Sequence, residues 1–291
     1  MTAMTIFTPD DIKKAVKVLR EIRPAYVEML EFYEQLFMTQ ESSKNQIDIE
    51  PIRISDQELA IKIKEKFPLI NSAEFAIDIE ASKKLFVFIC EAAMKTKAAM
   101  SATAGKILAS IDAALDLETL FTGILRGDDG PFEKAAKALS VEKNVLAFFA
   151  YSSIKPSVMS CAEQLSVYLK HQDPWQQGYC PICGTSPALS VLEGEGERSL
   201  ICSFCWHKWP VKRVFCPYCN TTDSNILHYF FSENEKEYRV YTCENCKKYI
   251  KTVDTKNTER LIYPPLEHVV TMHLDMKANE MGFNSEYPVP Q

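Results

Sequence analysis

Four Cys-x-x-Cys pairs crowded into the second half of the chain constrain its fold more than any other feature: Cys180/Cys183, Cys202/Cys205, Cys216/Cys219 and Cys243/Cys246. The intervals between successive pairs are 18, 10 and 23 residues. Each long interval has room for a two-stranded hairpin, and the short one does not. The economical grouping sets Cys180, Cys183, Cys202 and Cys205 around one metal ion, and Cys216, Cys219, Cys243 and Cys246 around a second. Two residues between thiolates let the loop fold back until both sulfurs reach one tetrahedral ion. Amides of the same turn can then spread the sulfur charge. Pro181 and Gly184 suit the first of these turns, and Asn220 fills the glycine position of the third. Trp206 and Lys247 occupy that position in the other two, so those turns are expected to be less standard. Tetrahedral four-sulfur sites take zinc or iron alike, so the expected cofactors are two metal ions, iron or zinc, each held by four cysteines.

The two remaining cysteines, Cys90 and Cys161, stand alone on apolar helical stretches and read as core residues. The N-terminus has no basic stretch followed by an apolar core, so no secretory signal is expected, and clustered thiols in a reducing compartment favour metal over disulfides. No run of about 18 apolar residues occurs, so no membrane insertion is expected. The net charge is −6. Residues 176–260 carry 11 Lys+Arg against 10 Asp+Glu, and two tetrathiolate sites would add further negative charge. That argues against the alternative of a zinc-ribbon nucleic-acid binder, whose surface should be basic. A thiol-redox protein is the other alternative. None of the pairs opens a long helix in a βαβ pattern, as such turnover would require. No phosphate loop, nucleophile elbow or His-Glu metalloprotease motif is present, so the chain is not expected to be an enzyme and no catalytic residue is named. His207, two residues after Cys205, reads as solvated, while His171, His228, His268 and His273 form no ligand spacing. Glu233, Glu235 and Glu237 read as a solvated hairpin tip.

Residues 1–172 read as helical. Thr8-Pro9-Asp10-Asp11 is a start signal, Ser55 caps a short helix, and the stretch from Ser72 to Lys97 is apolar on too many faces for a surface helix. Further helices are expected at 101–114, 117–126, 131–139, 142–153 and 156–171, the last two separated at Lys155-Pro156. After Asp173-Pro174-Trp175 the texture turns to short β-rich segments at 189–192, 199–202, 227–231, 238–243 and 249–253, read as antiparallel hairpins. Helical spacing returns from Glu267 to Phe283, and Tyr287–Pro290 reads as extended. The fold class is therefore α+β, with a helical domain at 1–172 and small metal-binding domains at 173–212 and 213–291, the last with a C-terminal helix. No repeat of fixed period is visible.

The motifs resemble those of the formate dehydrogenase accessory proteins, the FdhE family. The resemblance runs through Cys180-Pro-Ile-Cys-Gly184, Cys202-Ser-Phe-Cys205 and Trp209-Pro-Val-Lys-Arg213. It continues with Cys216-Pro-Tyr-Cys219, Cys243-Glu-Asn-Cys246, Tyr249-Ile-Lys251, Leu274-Asp275 and Glu280-Met-Gly-Phe283. It covers roughly residues 175–283, while the helical half agrees only in length and texture. The resemblance implies that the two small domains are rubredoxin-like and associated with iron. It also implies a cytoplasmic maturation factor that contacts the catalytic subunit of a respiratory formate dehydrogenase. Trp175, Trp206 and Trp209 are expected either to pack against the helical domain or to anchor that contact.

Overall fold

The computed structural model describes residues 7–96, 98–111, 113–170 and 172–286. His171 and the expected extended tail Tyr287–Pro290 lie outside the described residues. The chain divides into two compact units, one formed by Phe7–Ile52 and Asn71–Gln164, the other by Arg53–Ile70 and the chain from Leu165 onward.

The first unit is helical. Helix α1 (Pro9–Ile22) starts where the Thr8 signal places it. The Thr8 hydroxyl accepts from the Asp11 amide, and the Asp11 carboxylate accepts from the Thr8 amide at 3.0 Å. Its Ile12, Ala15, Val16 and Leu19 form one buried face. α2 (Val27–Lys44) follows a single 3-10 turn at Pro24–Tyr26. α4 (Ile79–Ala93) begins later than the apolar pattern suggests. Asn71 instead caps a 3-10 turn at Ser72–Glu74, and Asp78 caps the helix proper. The remaining helices of this unit are α5 (Ala98–Ala109), α6 (Leu117–Arg126), α7 (Gly130–Leu139) and α8 (Lys143–Ser166). Phe86, fully buried on α4, meets Phe121 at 6.3 Å and Phe149 at 6.2 Å, both edge to face. Cys90 and Cys161 are fully buried, as read from the sequence, and burial pushes their thiols up to about 12 and about 11.

α8 corrects the expectation of two helices divided at Pro156. It runs through the proline without interruption. Proline lacks the amide that would donate to the carbonyl four residues back, which ordinarily kinks or ends a helix. Here that carbonyl, on Ser152, accepts instead from Nε2 of buried Gln40 on α2 at 2.7 Å. The orphaned acceptor is satisfied from a neighbouring helix. Its continuity also makes Lys143–Leu169 long and apolar enough to cross a membrane by length and composition, against the reading that no segment is. In this fold 72% of its most apolar window is buried inside the protein, as in the core helix of a globular unit.

The second unit is built on one six-stranded sheet, ordered β3-β2-β1-β6-β5-β4. The strands are β1 (Pro187–Glu193), β2 (Glu197–Cys202), β3 (Lys208–Val211), β4 (Leu227–Phe230), β5 (Tyr238–Cys243) and β6 (Tyr249–Asp254). β1-β2-β3 and β4-β5-β6 are each an antiparallel meander. Parallel pairing of β1 with β6, from Leu189↔Lys251 to Leu192↔Asp254, fuses them. The order knuckle, strand, strand, knuckle, strand thus occurs twice. The repeat escapes a search for a fixed period because the second hairpin spans 23 residues and the first 18. β3 is the strand the sequence pattern does not announce, because it contains Pro210. It lies at the sheet edge, where a strand can omit one ladder donor.

Helices α9 (Pro264–Val270) and α10 (Met272–Glu280) replace the single helix expected over 267–283. The break falls at Thr271 (φ −114, ψ 20), whose hydroxyl donates to the Glu267 carbonyl at 2.6 Å. Buried ion pairs tie both helices to the sheet. Lys251 Nζ donates to Asp275 at 2.7 Å, and the Tyr249 hydroxyl donates to the same carboxylate at 2.8 Å. Arg260 grips Glu267 with both terminal nitrogens, at 2.6 and 2.7 Å, and the Tyr238 hydroxyl donates to the same carboxylate.

Helix α3 (Asp56–Glu65), capped by Ser55, falls in the sheet unit although it precedes most of the helical one. Beyond its left-handed cap at Lys66, the Leu69 and Ile70 amides donate to the Pro181 and Ile182 carbonyls at 2.9 Å each. The Tyr179 hydroxyl donates to the Lys66 carbonyl at 2.7 Å. Divisions at 172/173 and 212/213 follow a change in sequence texture. Contacts instead group 53–70 with the sheet and join both meanders in one unit.

Candidate metal centres

Each cluster is assembled by two turns of one geometry. In three of the four, the residue after the second cysteine donates its amide to the first cysteine's carbonyl at 2.9 Å: Gly184 to Cys180, Asn220 to Cys216, Lys247 to Cys243. In all four, the first cysteine's amide donates to the carbonyl five residues on, at 2.9 to 3.0 Å. Closing such a turn requires positive φ at the residue after the second cysteine. The values are 75° at Gly184, 60° at Trp206, 59° at Asn220 and 55° at Lys247. The expectation that Lys247 marks a less standard turn is therefore corrected, and Trp206 takes the same positive φ. Side chains pay about 1–2 kcal/mol for this conformation, and at Lys247 surrounding contacts hold it. Its carbonyl accepts from the Asn284 amide at 2.8 Å, and its ammonium lies 5.6 Å from the Phe283 ring centre.

The sulfurs converge in the two groups read from the intervals, with the four ligand atoms of each group within 4.8 Å of one another. In the first, Cys180–Cys205, Cys183–Cys202 and Cys183–Cys205 are 3.6, 3.5 and 3.6 Å apart. In the second, Cys216–Cys246 and Cys219–Cys243 are each 3.6 Å apart. Metal–sulfur bonds of about 2.3 Å in a tetrahedron set sulfurs about 3.8 Å apart, so both groups have the size of a four-thiolate site. All eight are free cysteines without disulfides.

The thiols of the first group do not share one ionisation tendency. Burial pushes the Cys180 and Cys205 thiols well up, whereas hydrogen bonds from its three neighbouring thiols hold Cys183 far below the ordinary range. Four thiolates cannot share a dry pocket without a compensating cation. Amides of Phe204 and Cys205 already point at the Cys202 sulfur, at 3.3 and 3.4 Å. The first cluster is entirely buried. In the second, Cys219 and Cys246 are partly exposed. Burial opposes ionisation of Cys219, but hydrogen bonds from Asn245, Thr221 and neighbouring thiols bring it down to about 7. A bound ion would cross-link each ribbon and neutralise its thiolates.

His207 corrects its reading as a solvated histidine. It is 7% exposed, and burial pushes its imidazole down to about 4. Trp175 and Trp209 are core residues, donating to the Tyr179 carbonyl at 2.7 Å and the Gln177 carbonyl at 3.1 Å. The expected solvated hairpin tip is partly tied down, since Glu235 bonds His273 at 2.8 Å. Two buried groups escaped the sequence reading, namely the Lys251–Asp275–Tyr249 and Arg260–Glu267–Tyr238 networks. Tyr249, Lys251 and Asp275 do belong to the motifs quoted above, so the signal was present but its spatial meaning was not.

Fold and site together define a helical protein carrying a double zinc-ribbon-like sheet with two four-cysteine clusters. No family model matches the chain. A protein FdhE homolog of Aquifex aeolicus is 33% identical over 147 residues, covering 49% of this chain and 50% of its own length. One from Haemophilus influenzae is 25% identical over 158 residues, covering 52% of each. The chain thus spans about half the length of the curated relatives it matches. The crystal structure of the FdhE protein from Pseudomonas aeruginosa has the same fold, with a TM-score of 0.67 over 99% of this chain and 97% of that one, at 16% identity. The chain is thus similar to FdhE proteins in sequence over about half its length and in fold over nearly all of it.

Proposed function

We propose that this protein is an accessory factor for maturation of a formate dehydrogenase. In this reading it binds the catalytic subunit of that enzyme in the cytoplasm and oxidises no formate itself. The observation that carries the reading is the pairing, in one chain, of a helical unit with a sheet holding two four-cysteine clusters, the fold of an FdhE protein. The relatives carry the FdhE name, and the resemblance of the cysteine motifs to formate dehydrogenase accessory proteins points to the client enzyme. The eight cysteines Cys180, Cys183, Cys202, Cys205, Cys216, Cys219, Cys243 and Cys246 are the proposed ligands of two ions, iron or zinc.

The test is formate dehydrogenase activity in a deletion strain complemented with wild type or with Cys-to-Ser variants. Deletion should leave the enzyme present but inactive, and wild type should restore it. A variant lacking both Cys180 and Cys183 should not restore it. Normal activity in the deletion strain would remove the proposal. A pulldown from anaerobic cells should recover the catalytic subunit.

A further inference from the structure

A cavity of about 310 Å³ lies beside the second cysteine cluster, walled by sheet residues and by the segment 213–218. Four cations, Arg198, Arg213, Arg239 and Lys248, line it, and no carboxylate does among the described residues. Two of them are already matched, Arg239 by Asp254 at 2.7 Å and Lys248 by Glu286. The other two have no carboxylate partner among the described residues.

Arg198 is the unusual one. It is 3% exposed on β2. Its Nε donates to the Ser190 hydroxyl at 3.0 Å, and its Nη1 to the carbonyls of Phe215 and Arg213 at 2.9 and 3.3 Å. Its Nη2 is buried and has no partner among the described residues. Burial disfavours its charge, and the groups that offset this are two tyrosines and the Cys216 sulfur. None of its hydrogen bonds runs to that sulfur, so the cluster's own charge does not fill the vacant donor. An arginine stays charged in proteins, and a buried charged donor left unfilled is costly. Arg213 donates to the carbonyls of Glu195 and Gly196, at 3.3 and 3.5 Å. The turn it reaches holds Gly196 at φ 101°, a conformation that favours glycine.

The walls are aromatic. The Arg198 guanidinium lies 5.3 Å from the Tyr241 ring centre and 5.8 Å from that of Phe215. Tyr229, half exposed, continues the wall 5.4 Å from Tyr241. A guanidinium fork suits a planar carboxylate, and rings suit a flat apolar body.

We propose that this cavity binds a carboxylate carried on an aromatic or apolar body, received by Arg198 and Arg213. The carboxylate belongs either to a free small acid or to the end of a bound polypeptide. The site goes beyond the accessory role and does not depend on it.

The experiment titrates the metal-loaded full chain by calorimetry with four probes: benzoate, its neutral isostere benzamide, and a short peptide ending in phenylalanine as free acid and as amide. At least one acid should saturate, with its neutral counterpart weaker by about tenfold or more. Arg213→Gln, at an exposed position, should weaken that acid by about tenfold while metal content stays at wild-type level. Arg198→Gln should abolish binding where it folds. Saturation by benzoate assigns a small acid, and saturation by the peptide acid alone assigns a polypeptide terminus. Equal affinity for acids and neutral counterparts, no saturation by either acid, or unchanged affinity in Arg213→Gln would each overturn the proposal.

Discussion

The Ser152 carbonyl, left without its helical donor by Pro156, shows how one residue can decide the course of an element. Gln40 supplies the missing hydrogen bond. Gln40→Leu should therefore destabilise the helical unit by about 1–3 kcal/mol, the cost of an unsatisfied buried acceptor. Adding Pro156→Ala should recover much of it by restoring the local donor. Urea melts of the single and double variants check this, and an unaffected Gln40→Leu protein would contradict it. Lys155, next to that proline, is buried, and burial pushes its ammonium down to about 7. In the unfolded chain the group titrates near 10.4, so between those values unfolding takes up a proton. Stability of the helical unit should then rise from pH 7 to 8.5, by at most about 1.4 kcal/mol per pH unit. Higher pH is avoided because Cys90 and Cys161, raised by burial, act in the opposite sense there. Melts of wild type against Lys155→Met test the assignment, since the variant should lose the slope.

At the scale of elements, the two knuckle-and-strand units share a design but differ in exposure. The first has all four cysteines buried, and the second leaves Cys219 and Cys246 partly open. A chelator should therefore release one ion per chain faster than the other, and the slow ion should belong to the first cluster. Cys216→Ser should remove the fast phase, and release followed with a colorimetric metal indicator reads both. A single phase in wild type would contradict the difference. The buried ties between sheet and C-terminal helices are also testable. Lys251→Met leaves the buried Asp275 carboxylate with Tyr249 as its remaining partner among the described residues and should cost about 3–5 kcal/mol. The grouping of cysteines was readable from interval lengths because hairpins need a minimum of chain. The positive φ at all four turns was not readable, because Trp206 and Lys247 do not favour it and contacts at a distance, such as Asn284 to Lys247, hold it.

For the whole molecule, the hydrogen bonds from Leu69 and Ile70 to the first knuckle tie residues 53–70 to the metal-bearing sheet. Removing metal should melt the sheet unit and strip amide-exchange protection from α3 as well, while α4 and α8 stay protected. Loss of all protection at one chelator concentration would instead mean a single cooperative unit. What the sequence determined by itself is local: caps at Thr8 and Ser55, the apolar periodicity of the helices, the alternating strands and the spacing of eight thiols. These rest on forces acting within a few residues or on the reach of a short loop. Tertiary structure alone decided the rest. The passage of α8 through Pro156 depends on Gln40, 112 positions from Ser152. The fusion of two meanders depends on β1 meeting β6, a parallel pairing for which neither strand carries a private signal. The membership of α3 in the sheet unit depends on backbone donors whose acceptors lie beyond residue 180. Such contacts follow from which surfaces meet once the chain is compact, because a backbone amide pairs equally well with any carbonyl and only packing selects its partner.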